Sequence, residues 1–170
     1  WTVTGESPSR FNGDQLPVEC VSWEDGIAFC NTLSMIVGLT PAYKGTDNHC
    51  ELISGANGFR LPFEAEWAFA AKAGQQFIYS GSDNIDAVAW HTKNSDGKTH
   101  KVAKKKSNGY GIYDMSGNVW EWCADDYYNP GSHRIGAFGR ACRGGSFDYY
   151  AYECKISSRR RTSVDIRDRY

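Results

Sequence analysis

The sequence predicts an α+β domain with two main helices, short strands and much irregular structure. Three observations predict it. Apolar residues recur at helical spacing in only two stretches, near residues 22–38 and 62–74. Beyond Gly74 the apolar and aromatic residues come in short runs punctuated by Gly, Asn, Asp and Ser. Eighteen glycines accompany 14% aromatic residues, which suits a turn-rich fold whose large side chains fill irregular space.

The first helix is expected to begin at Ser22, a residue type that caps free N–H groups, with Glu24 and Asp25 in the electropositive first turn. Trp23, Ile27, Cys30 and Leu33 then form one stripe, and Gly38 is the expected stop. The second helix is expected to start at Pro62, whose missing N–H costs nothing in a first turn. Glu64 and Glu66 complement that end, Lys72 complements the other, and Phe63, Trp67 and Ala70 form the inner face. Phe77-Ile78-Tyr79, Gly111-Ile112-Tyr113 and Val119-Trp120 read as short strands. Lys104-Lys105-Lys106, followed by Ser107-Asn108-Gly109, reads as a solvated turn. No repeat, linker or low-complexity segment interrupts the chain, so residues 1–170 read as one domain.

A length of 170 residues supports a substantial core. No run approaches the roughly 18 apolar residues of a membrane span. The chain opens at Trp1 without a signal-peptide pattern, so such a leader is either absent or removed. A net charge of −1 gives nucleic-acid binding no general footing. The end is locally basic: Lys155, Arg159, Arg160, Arg161, Arg167 and Arg169 face Asp165 and Asp168. Six cysteines (Cys20, Cys30, Cys50, Cys123, Cys142 and Cys154) include no C-x-x-C pair and are spread too widely for a zinc site or a disulfide scaffold. Their redox state stays open. His49, His91, His100 and His133 show no metal-ligand spacing, and no nucleophile elbow, P-loop or dinucleotide fingerprint is present.

Several segments, read in order, resemble one family. They are Leu16-Pro17-Val18-Glu19 with Val21-Ser22-Trp23; Asn57-Gly58-Phe59-Arg60-Leu61-Pro62 with Glu64-Ala65-Glu66-Trp67; the run from Asn108 to Trp122; and Arg143-Gly144-Gly145-Ser146-Phe147. The series is similar to the formylglycine-generating-enzyme (sulfatase-modifying factor) domain. The resemblance covers nearly the whole chain and implies a C-type-lectin-like fold. By the same resemblance the family's first and last strands would lie outside residues 1–170.

The family's enzymes oxidise a substrate cysteine with two cysteines that hold copper between them. Soft thiolates select Cu(I), and both sulfurs are required. Carried onto this chain, the second falls on Cys154 but the first falls on Tyr149, whose phenol cannot replace a thiolate. Ser146 matches the family serine, without an acid or base partner visible beside it. The expectation is therefore not an enzyme, and no cofactor is required. The resemblance also implies a calcium site made of the Asp114 and Glu121 carboxylates and the Gly117 and Val119 carbonyls, hard oxygens suited to Ca²⁺. The other reading of those residues is a turn leading into a strand. A second family calcium site, near Val88 and Ala89, lacks its Asn ligand and is not carried over.

The residues after Gly145 resemble a non-enzymatic branch, the variable proteins of diversity-generating retroelements of the Treponema type. That resemblance implies a variable binding region over residues 144–170, surface or extracellular display, and a variable ligand, expected to be a protein. Fixed positions would be Cys154, Arg159, Asp165 and Arg167. Diversified, ligand-binding positions would be Asp148, Tyr149, Tyr150, Tyr152, Ser158, Arg160, Arg161, Thr162, Ser163, Ile166, Asp168, Arg169 and Tyr170. Randomising the adenines of an AAC or AAT codon never yields Lys, Glu, Gln, Met or Trp, and all thirteen positions obey that rule. The five excluded types fill 28 of the 170 residues, so chance avoidance is roughly one in ten. Tyr and Arg also suit binding: the ring buries much area while freezing few torsions, and the guanidinium offers a planar fork of donors. A copper oxidase and an undiversified accessory module are the competing readings.

Overall fold

The computed structural model describes residues 3, 5, 7–45, 50–128 and 139–168. Helix α1 runs Trp23–Ile36. Ser22 Oγ accepts from Asp25 N at 3.1 Å while Asp25 Oδ2 accepts from Ser22 N at 2.8 Å, so each satisfies an otherwise unpaired N–H of the first turn. Its buried stripe is Trp23, Ile27, Cys30 and Ser34, with Leu33 only half-buried. Ser34 takes the fourth place because its hydroxyl is fully used: it donates to Cys30 O (2.7 Å) and accepts from Phe59 N (2.8 Å). The stripe packs on Tyr43 and Cys50, with Leu61, Trp122 and Val164 around them. Strands β1 (Tyr43–Lys44) and β2 (Glu51–Leu52) form a small antiparallel pair beside this core.

Helix α2 spans Glu64–Lys72, two residues later than expected from Pro62. The Pro62 carbonyl is taken by Ala124 N (2.8 Å) instead of a helical N–H, and the extended Phe63 becomes the cap, its N–H bonded to Glu66 Oε2 (2.8 Å). That shift rotates the inner face: Glu64, Trp67 and Ala71 are buried, whereas Phe63 and Ala70 are only half-buried. A single turn, α3 (Ile85–Val88), is capped by Asn84 and is too short to show a sequence period.

The main sheet is antiparallel in the order β3 (Glu121–Asp126), β4 (Arg140–Arg143), β5 (Arg160–Thr162). Its registers pair Trp122 with Cys142 and Cys142 with Arg160. None of the three expected short runs is a strand. Tyr79 makes only an isolated bridge to Ser82. Residues 111–113 cannot join a ladder because Asn108 takes their hydrogen bonds: Asn108 N donates to Ile112 O, and Asn108 Oδ1 accepts from Tyr110 N and Ile112 N. Val119 and Trp120 only lead into β3, after a turn in which Gly117 and Asn118 are left-handed (φ 77° and 66°). At Gly117 a Cβ would sit 2.3 Å from Trp90 O, so glycine is required there. Lys105 is not simply solvated: its ammonium lies 3.9 Å from the Trp90 ring centroid and donates to Asp86 O.

Candidate functional site

After β4 the chain turns through Gly144 and Gly145, enters a 3₁₀ turn at Ala151–Cys154, and returns as β5. Both margins of this segment are tied to the rest of the molecule. Phe147 N donates to Asn118 O at one end; Val164 O accepts from Trp23 N and Asp168 O accepts from Cys20 N at the other. Three of the four expected fixed residues are tied to the scaffold, Cys154 by burial and the exposed Arg159 and Arg167 by ion pairs. Cys154 is fully buried against Tyr79, Val88 and Ala89. Arg159 donates to both carboxylate oxygens of Glu64 and to Tyr127 O (2.9 Å). Arg167 pairs with Asp25 of the α1 cap at 2.8 Å. The fourth, Asp165, accepts from Ser163 Oγ.

The positions expected to vary lie differently. Asp148, Tyr150, Tyr152, Arg161, Ser163 and Ile166 are exposed; Tyr149, Ser158, Arg160 and Asp168 are half-buried; Thr162 is buried and faces inward from β5. Arg169 and Tyr170 lie outside the described residues. Much of their bonding is among themselves. Arg160 donates to Tyr149 Oη (2.8 Å) and to Asp168 Oδ2 (2.9 Å). The Tyr150 and Tyr152 rings stack at 6.0 Å, and Ser158 Oγ donates to Tyr152 O (2.7 Å). Scaffold aromatics support them: Trp120 meets Tyr149 edge-on at 5.6 Å, and the Tyr128 hydroxyl accepts from Arg161 (3.2 Å).

Glu64 was legible only as a helix-start charge, yet it is the buried acceptor of this region. It also lies 3.4 Å from Arg143, whose guanidinium is over the Trp67 ring. Its backbone N–H donates to Asp125. No local pattern links residue 64 to residue 159; the fixed Arg159 in the variable-protein resemblance was the one available signal.

All six cysteines carry free thiols; five are buried and Cys20 is half-buried. Burial pushes the Cys154 thiol up to about 12, disfavouring thiolate, and Glu153 adds to that. Gly145, at φ 76°, lies so close that a Cβ there would meet the Cys154 sulfur at 2.7 Å. Among the described residues no group of three or more His, Cys, Asp or Glu side chains is placed to hold a metal. His91 pairs with Asp86 (2.9 Å), and His100 stacks on Trp90 (3.8 Å) while bonding Ser95 O. His49 and His133 lie outside the described residues. Ser146 is buried, its hydroxyl within 3.4 Å of Asp148 N.

The Asp114–Glu121 region has the electrostatics of a cation seat. Burial raises the Asp114 carboxyl, which sits at a left-handed residue (φ 58°) with Oδ2 accepting from Ala103 N (2.7 Å). Burial, with a smaller push from the Asp114 charge, raises Glu121 to about 7, although Trp67 Nε1 donates to Oε2 at 2.5 Å. Two desolvated carboxylates that repel one another are the groups whose charge a hard divalent cation would offset.

The chain matches the sulfatase-modifying factor enzyme 1-like domain over residues 2–170. It is 41% identical over 163 residues to the chaperone protein LppX of Paenibacillus barcinonensis, covering 75% of this chain and 58% of that one. To the formylglycine-generating enzyme of Mycobacterium tuberculosis it is 36% identical over 99 residues, 50% of this chain and 32% of the enzyme. It thus spans 58% and 32% of the lengths of these two curated relatives. Among solved structures, Treponema denticola variable protein 1 superposes with a TM-score of 0.89 at 35% identity, covering 99% of this chain and 76% of that one. CarF superposes at 0.77 with 30% identity, covering 94% and 66%.

Proposed function

The chain belongs to the sulfatase-modifying factor enzyme 1-like domain family, and within that family we propose that it is a binding protein whose diversified C-terminal face recognises a partner protein. The observation that carries this reading is the division of bonding along one short segment. Cys154, Arg159 and Arg167 are committed to the scaffold, while Tyr149, Arg160 and Asp168 bond one another, and Tyr150 and Tyr152 stack in the open. Residues that hold the fold are thereby set apart from most of the positions assigned as variable, the buried Thr162 being the exception. The likeness to Treponema denticola variable protein 1 supports the same reading. Diversification by retroelement copying, and display at the cell surface or outside it, are parts of this proposal. No described helix is long and apolar enough to cross a membrane.

The test is in the neighbouring DNA. A near-duplicate of the codons for residues 144–170, differing only at template adenines and accompanied by a reverse transcriptase, is the expected finding. Its absence would leave an undiversified accessory module.

The oxidase reading is disfavoured by chemistry at two positions. Tyr149 offers a phenol already bonded to Arg160, and the Cys154 thiol is buried with its ionisation suppressed. Tight Cu(I) binding together with turnover of a cysteine peptide would overturn the non-enzymatic assignment.

Calcium is proposed as a structural ion. Asp114, Glu121 and the carbonyls of Gly117 and Val119 would hold it, and its charge would offset the repulsion between the two carboxylates. Saturating Ca²⁺ at about a hundred times its Kd should stabilise the fold by roughly 2–3 kcal/mol in thermal denaturation. Glu121→Gln should remove that increment; an unchanged response would refute the assignment.

A further inference from the structure

We propose that the outer face of α1 is a homotypic interface, on which a second copy of this chain packs about a two-fold axis. The helix has two apolar sides. Trp23, Ile27, Cys30 and Ser34 make the buried one. On the opposite side Ala28, Thr32 and Met35 follow one another at helical spacing, with Phe29 and Ile36 beside them. From Gly26 to Tyr43 the sequence holds no charged residue, whereas a helix that faces water ordinarily carries its charges there. Phe29 is 43% exposed, Met35 and Ile36 are each 60% exposed, and Val37, the next residue, is 53% exposed. Consecutive open apolar residues on such a stripe carry a cost in water that a covering surface removes.

Three features point to a copy of the same face as the cover. The first is charge. Asn31 bonds Tyr43 O (2.9 Å) and Tyr43 N (3.1 Å), which sets Lys44 beside the helix, and Lys44 is already paired with Glu51 at 3.2 Å. Arg60, next to the Phe59 that bonds Ser34, is committed to Glu66. A charged partner would find little to pair with, and an equally neutral face needs nothing. The second is shape. Thr32 is small and lies amid the larger Phe29, Met35 and Ile36, so the bulk of one helix can enter the low place of its two-fold mate. The third is area. The stripe exposes roughly 400 Å² on each copy, and with its rim a two-fold pairing covers on the order of 1,000 Å², the lower limit for a specific interface.

The consequence of pairing rests on the reading of the binding face given above. Ile36 lies about 16 Å along the helix from Asp25, and Asp25 is where Arg167 holds the end of the C-terminal segment. Pairing at the far end leaves that segment open on both copies. Two linked faces would then grip a repeated partner more tightly than either alone.

The experiment is sedimentation velocity on the whole chain from about 1 to 300 µM, which brackets the micromolar dissociation expected of so small an interface. The chain should pass from monomer to dimer and form nothing larger. Ile36→Glu should weaken the dimer at least about tenfold with the far-UV circular dichroism unchanged, because the new charge would be buried against its own copy. Met35→Lys should act in the same direction. Phe69→Glu, at an exposed apolar residue of α2, should leave the dimer as it is. A monomer throughout, the outcome if another protein or a further stretch of chain covers this face, would overturn the proposal. Species growing past the dimer, or a dimer indifferent to both α1 variants, would also overturn it. The DNA test for diversification is independent of sedimentation, so either reading can fail while the other stands.

Discussion

Arg159 and Arg160 are adjacent and chemically identical, yet they serve opposite halves of the molecule. Arg159, just before β5, is itself exposed, but its guanidinium forks onto the buried Glu64 carboxylate and lies over the Tyr127 ring. Arg160, the first residue of β5, joins Tyr149 and Asp168 of the proposed binding segment, all partly open to solvent. The difference lies in the partner each guanidinium meets: a buried scaffold carboxylate for one, half-exposed residues of its own segment for the other. Neighbouring residues can therefore hold a fold and contribute to a proposed replaceable surface.

The comparison makes graded demands. Glu64→Ala should have the largest effect, about 3–5 kcal/mol in urea denaturation, because Arg143 and Arg159 would lose the carboxylate that offsets their desolvation. Arg159→Ala should cost about 2 kcal/mol, the scale of a hydrogen-bonded charge partly compensated by the Arg143 that remains. Arg160→Ala should cost only about 0–1 kcal/mol, since its partner Asp168 is about a third exposed whereas Glu64 is buried. Equal losses for the two arginine variants would break the contrast; a gap of a kilocalorie or more would sharpen it.

The smallest effect is expected away from the face, at the Arg60–Glu66 pair. Arg60 donates to both Glu66 oxygens at 2.7 Å and holds that carboxyl down to about 2, with the Phe63 N–H helping. A folded-state value below the unfolded one means the stabilisation is present above about 4.5 and is lost as pH falls toward 2. The Glu66 side chain is 48% exposed, so Glu66→Gln should cost well under about 1 kcal/mol at neutral pH. The variant should show a slightly flatter acid limb and leave the Arg159–Arg160 contrast untouched.

Local chemistry was legible in the sequence wherever its partners were local. Ser22 and Asp25, three residues apart, announce the start of α1, and Lys72 marks the end of α2 in the same way. The family motifs gave the architecture and the position of the proposed binding segment. Long-range pairing was hidden. Pro62 looks like a helix start until Ala124 N claims its carbonyl, and Glu64 looks like a solvated end charge until Arg159 arrives from 95 residues away. Residues 111–113 carry strand-like composition, but the side chain of Asn108 competes for their backbone groups. Trp120, Tyr128 and Cys20 became part of the candidate site only once folding brought them beside the C-terminal segment.

The two clasps on the C-terminal segment have a consequence for how it can evolve. Gly145 is wedged against the Cys154 sulfur at one margin, and Arg167 is buckled to the cap of α1 at the other. Between them, spelling can change at the outward positions while spacing cannot. Adding or deleting one residue would throw Arg159 out of step with Glu64 and turn the outward side chains into the core. A lineage drawing on this segment for novelty is thus confined to swapping letters within a line of constant length.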